Sequence, residues 1–228
     1  DAVFFDYYLA LSEKGQIENN IIKEYDFVYF AASIEKAIDI AIEAFALAHK
    51  KNSSITLNVI GDVSYSFKQQ LKNRINELKI NNSVFFSGKL QTHENVLTQI
   101  QKSKFALLPL KTDMISGTIR EAMFYCIPII TTETAGTPIL NEKRESVLIA
   151  EQGDFQTLAD NMLKLLESEE LADKLRKNAL VTVNELWNNS KDMKKLLEVY
   201  KAIIAFHRFN QPIPKELSTK NPLNHYEE

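Results

Sequence analysis

The feature that most restricts this chain is a regular exchange between two hydrophobic periods. From Tyr25 to Glu151, short apolar runs alternate about six times with runs of helical spacing. The apolar runs are "YDFVYFAA", "SSITLNVIG", "NSVFFSG", "KFALLPL", "IPIITT" and "ESVLIAE". Short apolar strands separated by helices imply a parallel sheet covered on both faces. Between them, Ile34, Ile38, Ala41 and Phe45 recur at helical spacing, with Ser33 placed to cap that helix. "SFKQQLKNRINELKI" is a polar amphipathic helix, and "THENVLTQIQKS" a short one capped by Thr92. "TIREAMFY" is the next. The run from Asp154 to Trp187 reads as two helices joined near Ser168. A last helix, "NSKDMKKLLEVYKAIIAFHRF", carries Met193, Leu196, Leu197, Tyr200, Ile203 and Ile204 on one side.

The predicted fold is therefore α/β, a doubly wound, Rossmann-like parallel sheet of about six strands with right-handed crossovers. Ligands of such sheets bind beyond the carboxyl ends of the strands. Four of the six glycines (Gly61, Gly88, Gly117 and Gly136) fall at or just after predicted strand ends or in the loops there. Ordinary turns explain each one singly, but they explain the shared rim less well. Residues 25–206 form the predicted domain with its closing helix, 1–24 a linker or remnant of a preceding region, and 207–228 an extended tail.

Composition removes several function classes. A net charge of −3 offers no basic field for nucleic acid or acidic lipid. Cys126 is the only cysteine, so there is no disulfide framework and no cysteine metal cluster, and a reducing, cytoplasmic setting fits. No apolar run reaches the ~18 residues of a membrane span. The start, "DAVFFDYYLALSEKG", has no initiator Met, basic region or cleavage site and reads as a cut inside a longer chain. The apolar run "VFFDYYLAL" is expected to pack on a missing domain or partner chain.

The stretch "DMISGTIREAMFYCIPIITTETAGTP" carries the chemistry. Backbone amides of Ser116, Gly117 and Thr118 open a helix, where free N–H groups and the dipole favour an anion such as phosphate. Gly117 lets a ligand approach the backbone. Glu121, one turn in, has two acceptor oxygens that suit a vicinal diol such as a ribose. Asp113 lies on the loop before it. A phosphorylated, polyhydroxylated ligand fits this order; so does a merely capped helix with two solvated acids, and spacing alone favours the latter.

These residues resemble the nucleotide-sugar-binding, C-terminal half of GT-B glycosyltransferases of the group-1, family 4 class, which are retaining enzymes. That class carries two acids separated by seven residues, then "EAM…G.P", a strand and "G.P". Here stand Asp113, Glu121-Ala-Met, Pro128 and Gly136-Thr-Pro138. "LNVIGDVSYSFKQQLKNRINELKINNSVFFSGKL", "YFAASIEKAIDIAIEAF" and the closing "LWNNSKDMKKLLEVY" follow the same order, so the likeness spans Tyr25 to Ile204. The resemblance implies that Glu121 binds the donor ribose and that Asp113 contacts hydroxyls of the transferred sugar. It implies that Ser116, Gly117 and Thr118 hold sugar and diphosphate through their amides. It further implies that Lys36 neutralises the leaving diphosphate, and that the backbone at Leu90 lines the base. It implies a nucleoside-diphosphate sugar as donor substrate, with no cofactor and no metal. The expected setting is surface polysaccharide assembly in the cytoplasm or at the inner face of the membrane, with peripheral contact allowed. The closing helix of that class crosses back to an N-terminal acceptor-binding domain. Residues 1–24 cannot be that domain, so the resemblance implies a partner domain or chain elsewhere.

Four positions depart from the pattern. Ala31 or Ala32 stands where the class has an arginine, Ala37 replaces a glycine, Asp113 replaces Glu, and Cys126 replaces the helix-ending glycine. The last predicts a rearranged helix C-terminus. A non-catalytic nucleotide-sugar-binding or interaction module is the alternative to an enzyme. Of the histidines, His93 lies nearest the rim but is read as helix-start polarity; Arg120 is read as a surface ion pair, Cys126 as buried rather than reactive, and Trp187 and Tyr200 as packing residues.

Overall fold

A computed structural model describes residues 21–33, 37–112, 115–187 and 189–217. Its strands are β1 (Tyr25–Ser33), β2 (Leu57–Asp62), β3 (Val84–Gly88), β4 (Ser103–Leu107), β5 (Ile129–Thr132) and β6 (Leu148–Ala150). Its helices are α1 (Ile38–Lys51), α2 (Tyr65–Glu77), α3 (His93–Ile100), α4 (Gly117–Phe124), α5 (Phe155–Glu167), α6 (Glu169–Leu186) and α7 (Asn189–Phe209). All six strands pair in parallel in the order β3-β2-β1-β4-β5-β6. This is the doubly wound α/β sheet that the alternating periods predict. The strand order reverses at β1 and β4, where an open sheet of this kind leaves a crevice for ligand.

β1 is central because its middle has no polar face. Phe27, Val28, Tyr29 and Phe30 are all buried, and Phe27 pairs with Leu57 on one side and Phe105 on the other. Helices α1, α2 and α5 build one core on the face of Phe27, Tyr29, Leu57 and Val59. The residues alternating with these, Val28, Phe30, Ile60 and Ala106, point to the opposite face. The buried side chains of α3 and α4 (Leu97, Ile100, Ile119, Ala122 and Met123) belong to that second layer.

The amino end of the sheet is closed by side-chain bonds. Asp26 accepts from Thr56 N at 3.0 Å and from Lys104 Nζ at 2.8 Å, tying β1, β2 and β4 together. At the carboxyl end, Thr132 Oγ1 accepts from Leu110 N at 2.7 Å and carries the β4–β5 ladder past the strands. Gln152 Nε2 donates to Glu133 O at 2.7 Å and Leu110 O at 2.9 Å. The loop leading to α4 thus leaves from a fixed base.

Thr92 caps α3 as expected, accepting from Asn95 N at 3.1 Å. Ser168 separates α5 from α6 and receives Leu171 N on its hydroxyl. The expected cap at Ser33 is corrected: Ser33 is the last residue of β1, paired with Asp62, and α1 starts at Ile38 behind Ala37. Pairing with β2 holds the strand extended further than its apolar run suggested.

The described residues fall into two compact units, one ending at Val183 and the other beginning at Asn184. In the second, α7 keeps Val199 buried but leaves Met193, Leu197, Tyr200 and Ile204 about half exposed. Tyr200 is therefore not packed into a core. A turn of 3-10 helix follows at Lys215–Leu217. The run "VFFDYYLAL" lies outside the described residues. Among the described residues, no helix is long and apolar enough to cross a membrane.

Candidate active site

Helix α4 opens at the carboxyl rim beside the β1/β4 crevice. Its N-cap, Ser116, is extended (φ −75°, ψ 151°) and makes no side-chain bond to the first-turn amides. Its hydroxyl pairs with that of Thr118 instead. α1, which follows β1 on the other side of the crevice, likewise starts without a side-chain cap. α3 and α5 differ: Thr92 and Asp154 each close onto an amide of their own first turn. The two helices flanking the crevice therefore present first-turn N–H groups and the positive end of the dipole to whatever binds there. α2 also lacks a side-chain cap, so the feature acquires meaning from its place at the crevice.

Gly117 is exposed, and among the described residues a Cβ built on it meets Arg120 Nη2 at 3.7 Å, an ordinary contact. Gly88 is different: its φ of +69° ends β3 in a conformation that side chains rarely adopt. The chain then turns through half-buried Leu90 into the Thr92 cap. An ion pair from Lys89 to Asp62, 3.1 Å, joins this loop to the one after β2.

Glu121 points its carboxylate toward α3. The side chain is only 15% exposed, and Oε1 lies 3.2 Å from Nε2 of His93, the first residue of α3. His93 is thus a site neighbour that sequence reasoning set aside. Its only signal was its position at a helix start on the rim. Arg120 requires a correction: it is not at the surface but 9% exposed, folded beneath the opening turn of α4. Ser116, Gly117, Thr118 and Glu121 come together on α4, and Leu90 lies on the adjacent loop of the same rim. Lys36 and Asp113 lie outside the described residues. Ala31 and Ala32 are the two residues before the last of β1, half-buried and exposed, and supply no cation.

The far end of α4 corrects another expectation. Cys126 stands in the left-handed region (φ 55°), donates to Met123 O at 3.1 Å, and is followed by Ile127 N on Ala122 O at 2.9 Å. This is the Schellman closure that a glycine would make. The geometry is retained and the cysteine is strained into it. Burial pushes the half-buried thiol's pKa up, away from the reactive thiolate.

Ser116, Gly117, Thr118 and Glu121 thus share one helix start at the switch point of a Rossmann-like sheet. The chain belongs to the family described as glycosyl transferases group 1, whose model matches residues 13–181. It is 26% identical over 166 residues to the N-acetyl-alpha-D-glucosaminyl L-malate synthase of Bacillus anthracis, covering 72% of this chain and 42% of that protein. It is 28% identical over 141 residues to the amylovoran biosynthesis glycosyltransferase AmsK of Erwinia amylovora, covering 59% of this chain and 34% of the relative. The chain thus spans well under half the length of these curated relatives. Among solved structures it is similar to S. aureus TarM in complex with fondaparinux, alpha-GlcNAc-glycerol and UDP, with TM-score 0.69, 18% identity, 86% of this chain and 38% of that one. It also resembles the C-terminal domain of the group 1 protein LpcC from Francisella tularensis, with TM-score 0.63, 20% identity, 72% of this chain and 87% of that one. At these identities the structures speak for the GT-B fold.

Proposed function

We propose that residues 25–206 are the donor-binding lobe of a glycosyltransferase that moves a hexosyl unit from a nucleoside-diphosphate sugar to an acceptor hydroxyl with retention. The observation that carries this is Glu121, one turn behind the open start of α4 at the β1/β4 crevice. In this reading Glu121 takes the ribose diol, and the amides of Ser116, Gly117 and Thr118 take diphosphate and sugar. Negative charge grows on the leaving diphosphate as the glycosidic bond breaks. The α4 dipole and Lys36 oppose that charge where it develops. Asp113 holds hydroxyls of the departing sugar, and the backbone at Leu90 lines the base. The acceptor is supplied by an N-terminal domain or partner chain. The setting is cytoplasmic surface-polysaccharide assembly, in keeping with the printed name of the amylovoran relative.

Thermal unfolding with a panel of nucleoside diphosphates and their sugars tests this reading, with UDP first because it is bound in the TarM structure. A ligand at 100 times its dissociation constant stabilises the fold by about 2.7 kcal/mol. The expected outcome is a raised midpoint with one base and none with the others. The chain alone is expected to bind donor yet transfer poorly; robust transfer by it would contradict the missing-lobe reading. A non-catalytic binding module is the second reading. It is favoured by Ala31 and Ala32, which deprive the diphosphate of a bidentate cation.

A further inference from the structure

We infer that His93 is a positioning residue for the ribose site: it fixes the Glu121 carboxylate so that a 2′,3′-diol is captured by a carboxylate already in place. This rests on the donor-lobe reading above and names the part of the donor that His93 selects.

The two residues come from different helices. His93 is the first residue of α3, held there by the Thr92 cap, and Glu121 lies one turn inside α4. Both helices begin at the carboxyl rim and cover the same face of the sheet. The cap fixes the backbone of His93, so its ring is aimed by a rigid helix start rather than by a loop. Nε2 stands 3.2 Å from Glu121 Oε1. The two groups form an ion pair when the imidazole is protonated.

Glu121 is largely shielded, while His93 is half exposed. The histidine thus forms the solvent side of the pair and the carboxylate its inner side. Holding the carboxylate in one rotamer before the ligand arrives lowers the ordering cost of binding. The contact should matter only when a ribose diol is there to use it. A merely structural pair would act on every ligand alike, or on the fold alone.

The experiment is calorimetric titration of the full chain with UDP and with 2′,3′-dideoxy-UDP, for wild type, His93→Ala and His93→Gln, beside their unliganded unfolding midpoints. His93→Ala is expected to weaken UDP roughly fivefold to tenfold, since a charge-assisted bond at a half-exposed position is lost. His93→Gln, whose amide N–H can reach the same oxygen, is expected to restore most of the affinity. The dideoxy compound should bind wild type and His93→Ala alike, and all three midpoints should agree. Equal UDP affinity in wild type and His93→Ala would overturn the inference, as would an equal loss with the dideoxy compound. Tighter binding by His93→Ala would overturn it too, by making His93 an obstacle. If wild type binds no nucleoside diphosphate at all, the donor-lobe reading itself has failed and the inference falls with it, a result distinct from each of the others.

Discussion

The two ends of helix α4 are built on opposite terms. At its carboxyl end two orphan carbonyls are answered: Cys126 N and Ile127 N fold back onto Met123 O and Ala122 O. This closure holds although the residue in the left-handed position is a cysteine. At its amino end, Ser116 takes the extended backbone of a cap, yet its hydroxyl goes to Thr118 rather than to an amide. One end accepts strain to close, and at the other the N-cap side chain makes no bond to the first-turn amides. The same contrast runs through the sheet. Its amino edge is tied by Asp26, Thr56 and Lys104, while its carboxyl edge carries the crevice. α2 also starts without a side-chain cap, so the contrast bears on function only through the place of α4 beside the crevice.

The largest test of that contrast is Glu121→Ala. It removes the carboxylate behind the open end and should reduce nucleoside diphosphate affinity by about 2 kcal/mol, since bonds from hydroxyls to a charged acceptor are lost. The unliganded midpoint should hardly move, because the partner left behind, His93, is half exposed. Calorimetric titration beside a melting curve separates the two quantities. A large fall in the midpoint would make Glu121 a structural residue and dissolve the distinction between the ends.

Gly117→Ala sharpens the contrast at smaller scale. Among the described residues the added methyl meets Arg120 Nη2 at 3.7 Å, and no positive φ opposes it. The fold should gain by about 0.4–1 kcal/mol through the unfolded chain. Binding should weaken by roughly 1 kcal/mol, because the methyl stands where the ligand approaches the backbone. Stability and affinity moving in opposite directions is the expected signature. If both rise, the glycine has no ligand to accommodate.

How much of this was legible in the sequence depends on how far apart the cooperating residues lie. The sheet was legible because its strands are apolar throughout and its helices keep their period; "YDFVYFAA" allows little besides a central strand. Thr92 and Ser168 were legible because a cap acts on residues three positions away. Ser33 misled because its fate was decided by β2, through the pairing to Asp62, and not by its neighbours. At the site, Ser116, Gly117, Thr118 and Glu121 form one contiguous segment and could be read as one. His93 could not, since only the crossing of α3 over the sheet brings it to Glu121. Arg120 was misread because charge predicts exposure, whereas its place between Ile119 and Ala122 at the buried side of α4 decided otherwise. The roles of Lys36 and Asp113 rest on family resemblance alone.

The smallest effect concerns the closed end. α2 closes the same way without glycine, through Lys79 (φ 58°), and α7 also ends on a left-handed residue, Asn210 (φ 53°), though with closing bonds that reach further back along the chain, Asn210 N on Phe206 O and Gln211 N on Ala205 O. Asparagine tolerates that conformation better than other side chains, and lysine and cysteine do not share its advantage. Cys126→Gly should relieve about 1–2 kcal/mol of left-handed strain. Against this stand the greater freedom of glycine in the unfolded chain, about 0.4–1 kcal/mol, and the loss of a half-buried sulfur. The net expectation is a gain near 0.5 kcal/mol, visible as a slightly raised midpoint in chemical denaturation. Cys126→Val, β-branched at a positive φ, should lose instead, since its side chain meets the following carbonyl with no compensating freedom. Neither variant should change nucleotide affinity, because the closure is a full helix length from the first-turn amides proposed to bind. Should Cys126→Val weaken nucleotide binding while the fold holds, the two ends of α4 would be coupled rather than built to separate purposes.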